Sequence, residues 1–87
     1  MKILVCGGSG FIGSAFIRNF LNNNPKDTIV NLDNLTTGSN IQNLKVIENN
    51  PKYSFVKEDI KNEQYIQKIS KDKDIIINFA AESHVDR

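Results

Sequence analysis

Residues 2–13, KILVCGGSGFIG, decide the fold. Lys2–Cys6 is an unbroken, mostly apolar run, the pattern of a strand buried on both faces and hence central in a parallel sheet. It runs into glycines at 7, 8, 10 and 13. From Gly7 the spacing is GxxGxxG and from Gly8 it is GxGxxG, both dinucleotide-binding spacings. In such a turn the first glycine permits a sharp strand-to-helix reversal and the middle one lets a pyrophosphate approach the backbone. The last allows close packing of helix on strand. The anion would lie on unpaired N–H groups at the helix N-terminus, where the helix dipole favours negative charge. Gly13 is followed by Ser14 and Ala15, not by the lysine of a P-loop, and Phe11 stands where a nucleophile elbow needs glycine. Ser9 is therefore a loop residue.

Working outward, Ile12, Phe16 and Phe20 recur at i, i+4 and i+8, with Ala15, Ile17 and Leu21 widening the stripe until Pro25 ends the period. This predicts an amphipathic helix. A second strand is expected over 28–32 (TIVNL), ending at Asp33, then the polar stretch NLTTGSN and a weaker helical segment over Ile41–Ile47. Residues 53–56 (YSFV) predict a third strand, Tyr65, Ile66 and Ile69 a further helical stripe, and 74–79 (DIIINF) a fourth strand. The alternation means α/β: a Rossmann-type doubly wound parallel sheet with helices on both faces. Arg87 follows the fourth strand by a few residues, whereas such a domain has further elements in its second half. An incomplete sheet of about four strands is expected, its fourth strand exposing an apolar edge.

Asp33 lies 20 residues after Gly13, at the carboxyl end of the second strand, where a carboxylate accepts both ribose hydroxyls. It would repel a 2′-phosphate, and Asn34, Leu35 and Thr36 bring no cation to neutralise one, so NAD is expected over NADP.

Eleven basic and ten acidic residues leave a net charge of +1 without a Lys/Arg cluster, which argues against nucleic acid as a partner. One cysteine, Cys6, makes no internal disulfide, and one histidine, His84, forms no His/Cys cluster for a metal. That usage suits a reducing cytoplasm. The N-terminus has neither a signal-peptide pattern nor an apolar span of about 20 residues, so neither export nor membrane insertion is expected.

Strand, glycine turn, helix, strand and acid together resemble the extended short-chain dehydrogenase/reductase superfamily, whose first strand commonly enters a TGxxGxxG turn. Cys6 stands where that superfamily usually has threonine. LDNLTTGSN, VKEDI and the closing AAESHVDR are similar to the nucleotide-sugar 4,6-dehydratases, the dTDP-glucose 4,6-dehydratases above all. The resemblance covers the whole of this chain but the opening part of the family's usual chain. It implies that Phe11 and Ile12 lie at the pyrophosphate turn with Gly7, Gly10 and Gly13, and that Asp33, Asn34, Leu35 and Thr36 border the adenosine ribose. Asp59 and Ile60 would border the adenine. Phe79, Ala80, Ala81, Glu82 and Ser83 would line the nicotinamide side, Ser83 also reaching the substrate hexose. His84 is expected to be structural.

The family's complete enzymes oxidise the sugar C4 hydroxyl, remove water across C5 and C6, and return the hydride to C6. The resemblance assigns this to the tyrosine and lysine of a YxxxK motif and an Asp-Glu pair, all beyond the fourth strand. Tyr53 has Lys57 four residues on, but on an expected strand of the nucleotide half, and Tyr65 has Ile69 there. No catalytic residue is therefore assigned. Residues 1–87 are expected to be the N-terminal part of an NAD-binding domain, inactive alone. Catalytic and substrate parts would lie elsewhere, with dTDP-glucose as substrate and a homodimer open to the complete enzyme. Two alternatives remain: the front of a UDP-glucose 4-epimerase-like enzyme, against which AAESHVDR argues, and a non-catalytic nucleotide-binding module, which the missing tyrosine and lysine favour.

Overall fold

The computed structural model describes residues 1–34 and 41–79. Four strands, β1 (Lys2–Cys6), β2 (Thr28–Asp33), β3 (Tyr53–Lys57) and β4 (Ile75–Asn78), form one parallel sheet in the order β3-β2-β1-β4. Helix α1 (Phe11–Asn23) follows β1, a 3₁₀ helix (Ile41–Ile47) precedes β3, and α2 (Glu63–Ser70) leads to β4. The chain builds outward from β1 through β2 to β3, then crosses back to place β4 on the other side of β1. This reversal is the switch point at which doubly wound sheets bind ligands, beyond the carboxyl ends of their strands.

The register explains why β1 is apolar on both faces. Ile3 pairs with Ile29 and Ile75, and Leu4 with Val30 and Ile76, so β1 from Ile3 to Cys6 is flanked on both sides. Ile3, Val5, Ile29 and Tyr53 pack against Ile17 and Leu21 of α1 and Leu44 of the 3₁₀ helix. Leu4, Cys6 and Leu32 turn the opposite way, toward Ile60, Tyr65, Ile66 and Ile69. Three layers result, with Leu4 and Val5 at the centre and inaccessible to solvent.

Helix α1 sits one residue out of phase with the apolar periodicity. Its buried positions are Gly13, Ser14, Ile17 and Leu21, while Ile12 is 59% exposed and Phe16 and Phe20 pack only at the margin of the core. The cause is the turn before it. Gly13 must face the backbone of residues 7 and 8, and Ile17 and Leu21 then follow it inward at one-turn intervals. At α2, Asn62 caps the first turn by accepting the Tyr65 N–H at 3.2 Å, and Glu63 and Lys68 stand at the ends that suit the helix dipole.

At the amino ends of the strands, the Met1 ammonium meets Asp27 at 2.6 Å and the Lys2 N–H donates to Asp74 at 2.8 Å. Strand β4 forms an edge, with Ile75 and Ile76 exposed. Among the described residues no helix is long and apolar enough to cross a membrane, and no three His, Cys, Asp or Glu side chains group as a metal site.

The phase of α1 is testable. Ile17→Ala should cost about 2–5 kcal/mol in urea unfolding and Ile12→Ser less than about 0.5 kcal/mol. The opposite ranking would return the helix to the phase of its apolar stripe.

Candidate functional site

The turn after β1 is built from β2. Gly7 has φ 80, a left-handed conformation that glycine adopts without strain. Its N–H donates to the Leu32 carbonyl at 2.7 Å, extending the β1–β2 ladder one step past Cys6. The Gly8 N–H donates to Asn31 Oδ1 at 2.9 Å, and the Ser9 N–H to Asp33 Oδ2 at 3.0 Å. Three successive turn donors are thus taken by three successive residues of β2. Asn31 Nδ2 also donates to Ser9 Oγ at 3.2 Å and to the Tyr53 hydroxyl at 3.1 Å.

This arrangement divides the glycines by task. A Cβ on Gly8 would stand 2.4 Å from Asn31 Oδ1 and 2.6 Å from Ile17 Cδ1, so glycine there makes room for the buried amide. A Cβ on Gly13 would stand 2.8 Å from the Gly7 carbonyl oxygen, which is the close helix-to-strand approach expected of the last glycine. Gly10 caps α1 with φ −76 and ψ 176, a conformation open to any residue, so its need for glycine lies in the space before it.

That space is a cleft of about 240 Å³ lined by Gly7, Gly10, Phe11, Ile12, Gly13 and Phe79. The N-terminus of α1 opens onto it without a side-chain cap and without an acid in its first turn. Ser14 N–H is the first to bond within the helix, to the Gly10 carbonyl at 2.9 Å, so the preceding N–H groups have no acceptor of their own helix. Together with the dipole they favour an anion. Phe11 is 81% exposed at the lip, and Phe79, tied to Cys6 by its N–H and set tilted against Phe16 with ring centroids 5.7 Å apart, closes the far side.

A smaller recess shares Gly7 with the cleft and continues past β2. Leu32, Asp33, Asn34, Glu58 and Ile60 complete its wall. The expected adenine and ribose positions Asp33, Asn34 and Ile60 therefore meet in one place. Asp59 instead accepts the Lys61 N–H at 2.9 Å in the turn before α2, and its neighbour Glu58 supplies the carboxylate at the wall. Leu35 and Thr36, and likewise Ala80, Ala81, Glu82 and Ser83, lie outside the described residues.

Three residues of this region escape a reading of the sequence. Asn31 looks like a polar interruption of an apolar strand, and Glu58 is masked by its neighbour Asp59. Lys57 is the register partner of Asp33, so a search for cations confined to residues 34–36 does not find it. Strand pairing is the signal that would have found Lys57.

Burial beside the turn also shifts two nearby groups. Burial, with the Asp33 carboxylate adding to it, raises the Cys6 thiol above its ordinary pKa. Burial does the same to the Tyr53 hydroxyl, where the Asn31 hydrogen bond acts in the opposite direction and Asp33 reinforces the rise. Both stay protonated at neutral pH, so neither is an activated nucleophile.

Comparison with known proteins fits this geometry. The family model described as GDP-mannose 4,6 dehydratase matches residues 4–87. The dTDP-glucose 4,6-dehydratase of Escherichia coli is 48% identical over 89 residues, an alignment covering 100% of this chain and 24% of that protein. The crystal structure of dTDP-glucose 4,6-dehydratase from Bacillus anthracis in complex with NAD superimposes with a TM-score of 0.87 at 45% identity, covering 95% of this chain and 27% of that one. UDP-glucuronic acid 4-epimerase from Bacillus cereus, in complex with UDP-glucuronic acid and NAD, gives 0.79 at 31% identity, covering 91% and 26%. The chain thus spans about a quarter of the length of the relatives it matches.

The state of Cys6 sets an expected outcome. Because the thiolate is the reactive form, iodoacetamide should label the native protein at neutral pH at least about tenfold more slowly than the denatured protein. Raising the pH should speed native labelling only above the range in which a free thiol responds. Mass spectrometry reads the result, and fast labelling of native protein would place the thiol at the surface.

Proposed function

The chain belongs to the GDP-mannose 4,6 dehydratase family, and on that premise we propose that residues 1–87 form the N-terminal part of the NAD-binding domain of a dTDP-glucose 4,6-dehydratase. The observation that carries this is the turn itself. Gly7 is left-handed, Gly13 lies against the backbone of residues 7 and 8, and an uncapped helix N-terminus faces a cleft that adjoins a carboxylate-lined recess. A dinucleotide needs these parts in this order, with the diphosphate on the helix and the ribose on the acid.

In this proposal Gly7, Gly10, Phe11, Ile12 and Gly13 hold the diphosphate, with backbone N–H groups of α1 as donors. Asp33 and Asn34, continued by Leu35 and Thr36, take the adenosine ribose. Asp59 and Ile60, with Glu58 beside them, border the adenine, and Phe79, Ala80, Ala81, Glu82 and Ser83 face the nicotinamide. Ser83 also reaches the sugar of a nucleotide-sugar substrate. Bound NAD supplies a hydride acceptor and donor that ends the cycle unchanged. What these residues contribute is binding, orientation and the exclusion of water. The buried, protonated Cys6 accords with a reducing cytoplasm.

The front of a UDP-sugar 4-epimerase is the second reading, supported by the shared sheet and by the NAD of that neighbour. Identity of 45–48% to the dehydratases against 31% to the epimerase favours the first.

Calorimetric titration of the full-length protein tests the proposal. NAD should bind more tightly than NADP, and Asp33→Ala should weaken NAD about tenfold or more, since a charged acceptor of two hydroxyls is lost. With Asp33 gone and Lys57 across the strand pair, discrimination against NADP should fall as well. Tighter NADP binding by the unmutated protein would overturn the assignment. Gly10→Val should abolish binding of either nucleotide while the fold survives, because a side chain would then occupy the diphosphate's approach. Unchanged affinity in a folded Gly10→Val variant would move the phosphate site elsewhere.

A further inference from the structure

Asn31 lies in the middle of β2, inaccessible to solvent, and is not among the residues that line the cleft or the recess. Its amide is nevertheless committed at both ends: Oδ1 accepts from the Gly8 backbone, and the two Nδ2 hydrogens go to Ser9 Oγ and the Tyr53 hydroxyl. An amide offers two donors and one acceptor oxygen, so both donors and one lone pair are in use. The Tyr53 hydroxyl comes from β3, the strand beyond β2. Glycine at 8 is required because a Cβ there would occupy the place of that amide oxygen.

Two roles for such a network differ in what they predict. A core-filling amide would stabilise the whole domain and affect every ligand alike. An amide that fixes residues 8 and 9 sets the path by which the backbone reaches Gly10 and so the aim of the α1 N-terminus. Asp33 needs no help from Asn31 to present its carboxylate at the recess, because it stands on the β2 backbone and holds the Ser9 N–H by its own side chain. Asp33 thus presents its carboxylate without Asn31, whereas the turn at Ser9 is held by both side chains.

We infer that Asn31 is a positioning residue for the diphosphate half of the site, with Tyr53 as its support from β3. Neither touches the ligand. Asn31 acts through Gly8 and Ser9 on the helix donors, leaving the adenosine half to Asp33. This inference rests on the NAD-binding function proposed above.

The test compares NAD with adenosine, a ligand that lacks the diphosphate, on the full-length protein and two variants. Asn31→Ala should weaken NAD about 10- to 100-fold while adenosine affinity stays within about twofold, as expected when buried hydrogen bonds serve one half of a site. Tyr53→Phe, which removes one hydroxyl and keeps the ring, should weaken NAD about threefold and again spare adenosine. Should Asn31→Ala not fold, Tyr53→Phe carries the test alone, with its circular dichroism and melting temperature confirming the fold. Equal losses for NAD and adenosine would overturn the inference and mark the network as general core. Unchanged NAD affinity in folded variants would overturn it too. Failure of the unmutated protein to bind NAD is a separate outcome that removes the proposed function and this inference with it.

Discussion

Three backbone N–H groups of one turn, at Gly7, Gly8 and Ser9, must find acceptors inside the protein, and β2 provides all three. Buried amide donors left unpaired would each cost about 1–3 kcal/mol, so the turn exists only where three adjacent residues of β2 offer an amide, a carbonyl and a carboxylate. Much else follows from this. Gly8 is small to admit the amide, Gly13 is small to let α1 lie on the turn, and the phase of α1 is fixed before its apolar residues have any say. The donors left over, on the first turn of α1, are the ones that face the cleft.

The strands were legible in the sequence because a strand buried on both faces must be apolar throughout, and KILVC and TIVNL carry that mark. The edge strand DIIINF reads the same way although its isoleucines are partly exposed, since composition reports a face able to be covered and not one that is. Helix α1 was legible as a helix but not in phase. Periodicity counts apolar side chains, whereas the residues nearest the sheet at its start are Gly13 and Ser14, chosen for size. Ile12 therefore scored as core when it stands at the mouth of the cleft.

Of the site, the glycines and Asp33 could be read because their spacing along the chain reflects a local geometry, strand to turn to helix to strand. Asn31 could not, because its partners are 22 and 23 positions away and one lies on another strand. Glu58 and Lys57 depend on how β3 registers against β2, which no local pattern encodes. The charge distribution has the same character. Exposed pairs such as Lys2 with Asp72, and Lys73 with Asp72, collect at the amino ends of the strands, where the Lys73 hydrogen bond lowers the Asp72 pKa. The opposite end keeps its donors for a ligand.

The central place of β1 also orders the assembly of the sheet. Its two flanks are joined over very different stretches of chain: the Met1–Asp27 contact beside β2 spans 26 positions and the Lys2–Asp74 contact beside β4 spans 72. Closing the longer loop costs only about 0.9 kcal/mol more, which by itself would hardly separate the two events. Burial separates them. Strand β2 arrives with Ile29 and Leu32 going fully under cover, while β4 leaves Ile75 and Ile76 partly in water, so its docking returns less for a larger closure. Within these residues β4 docks on β1 for less than β2 does, and slow amide exchange should run from β1 through β2 before it reaches β4.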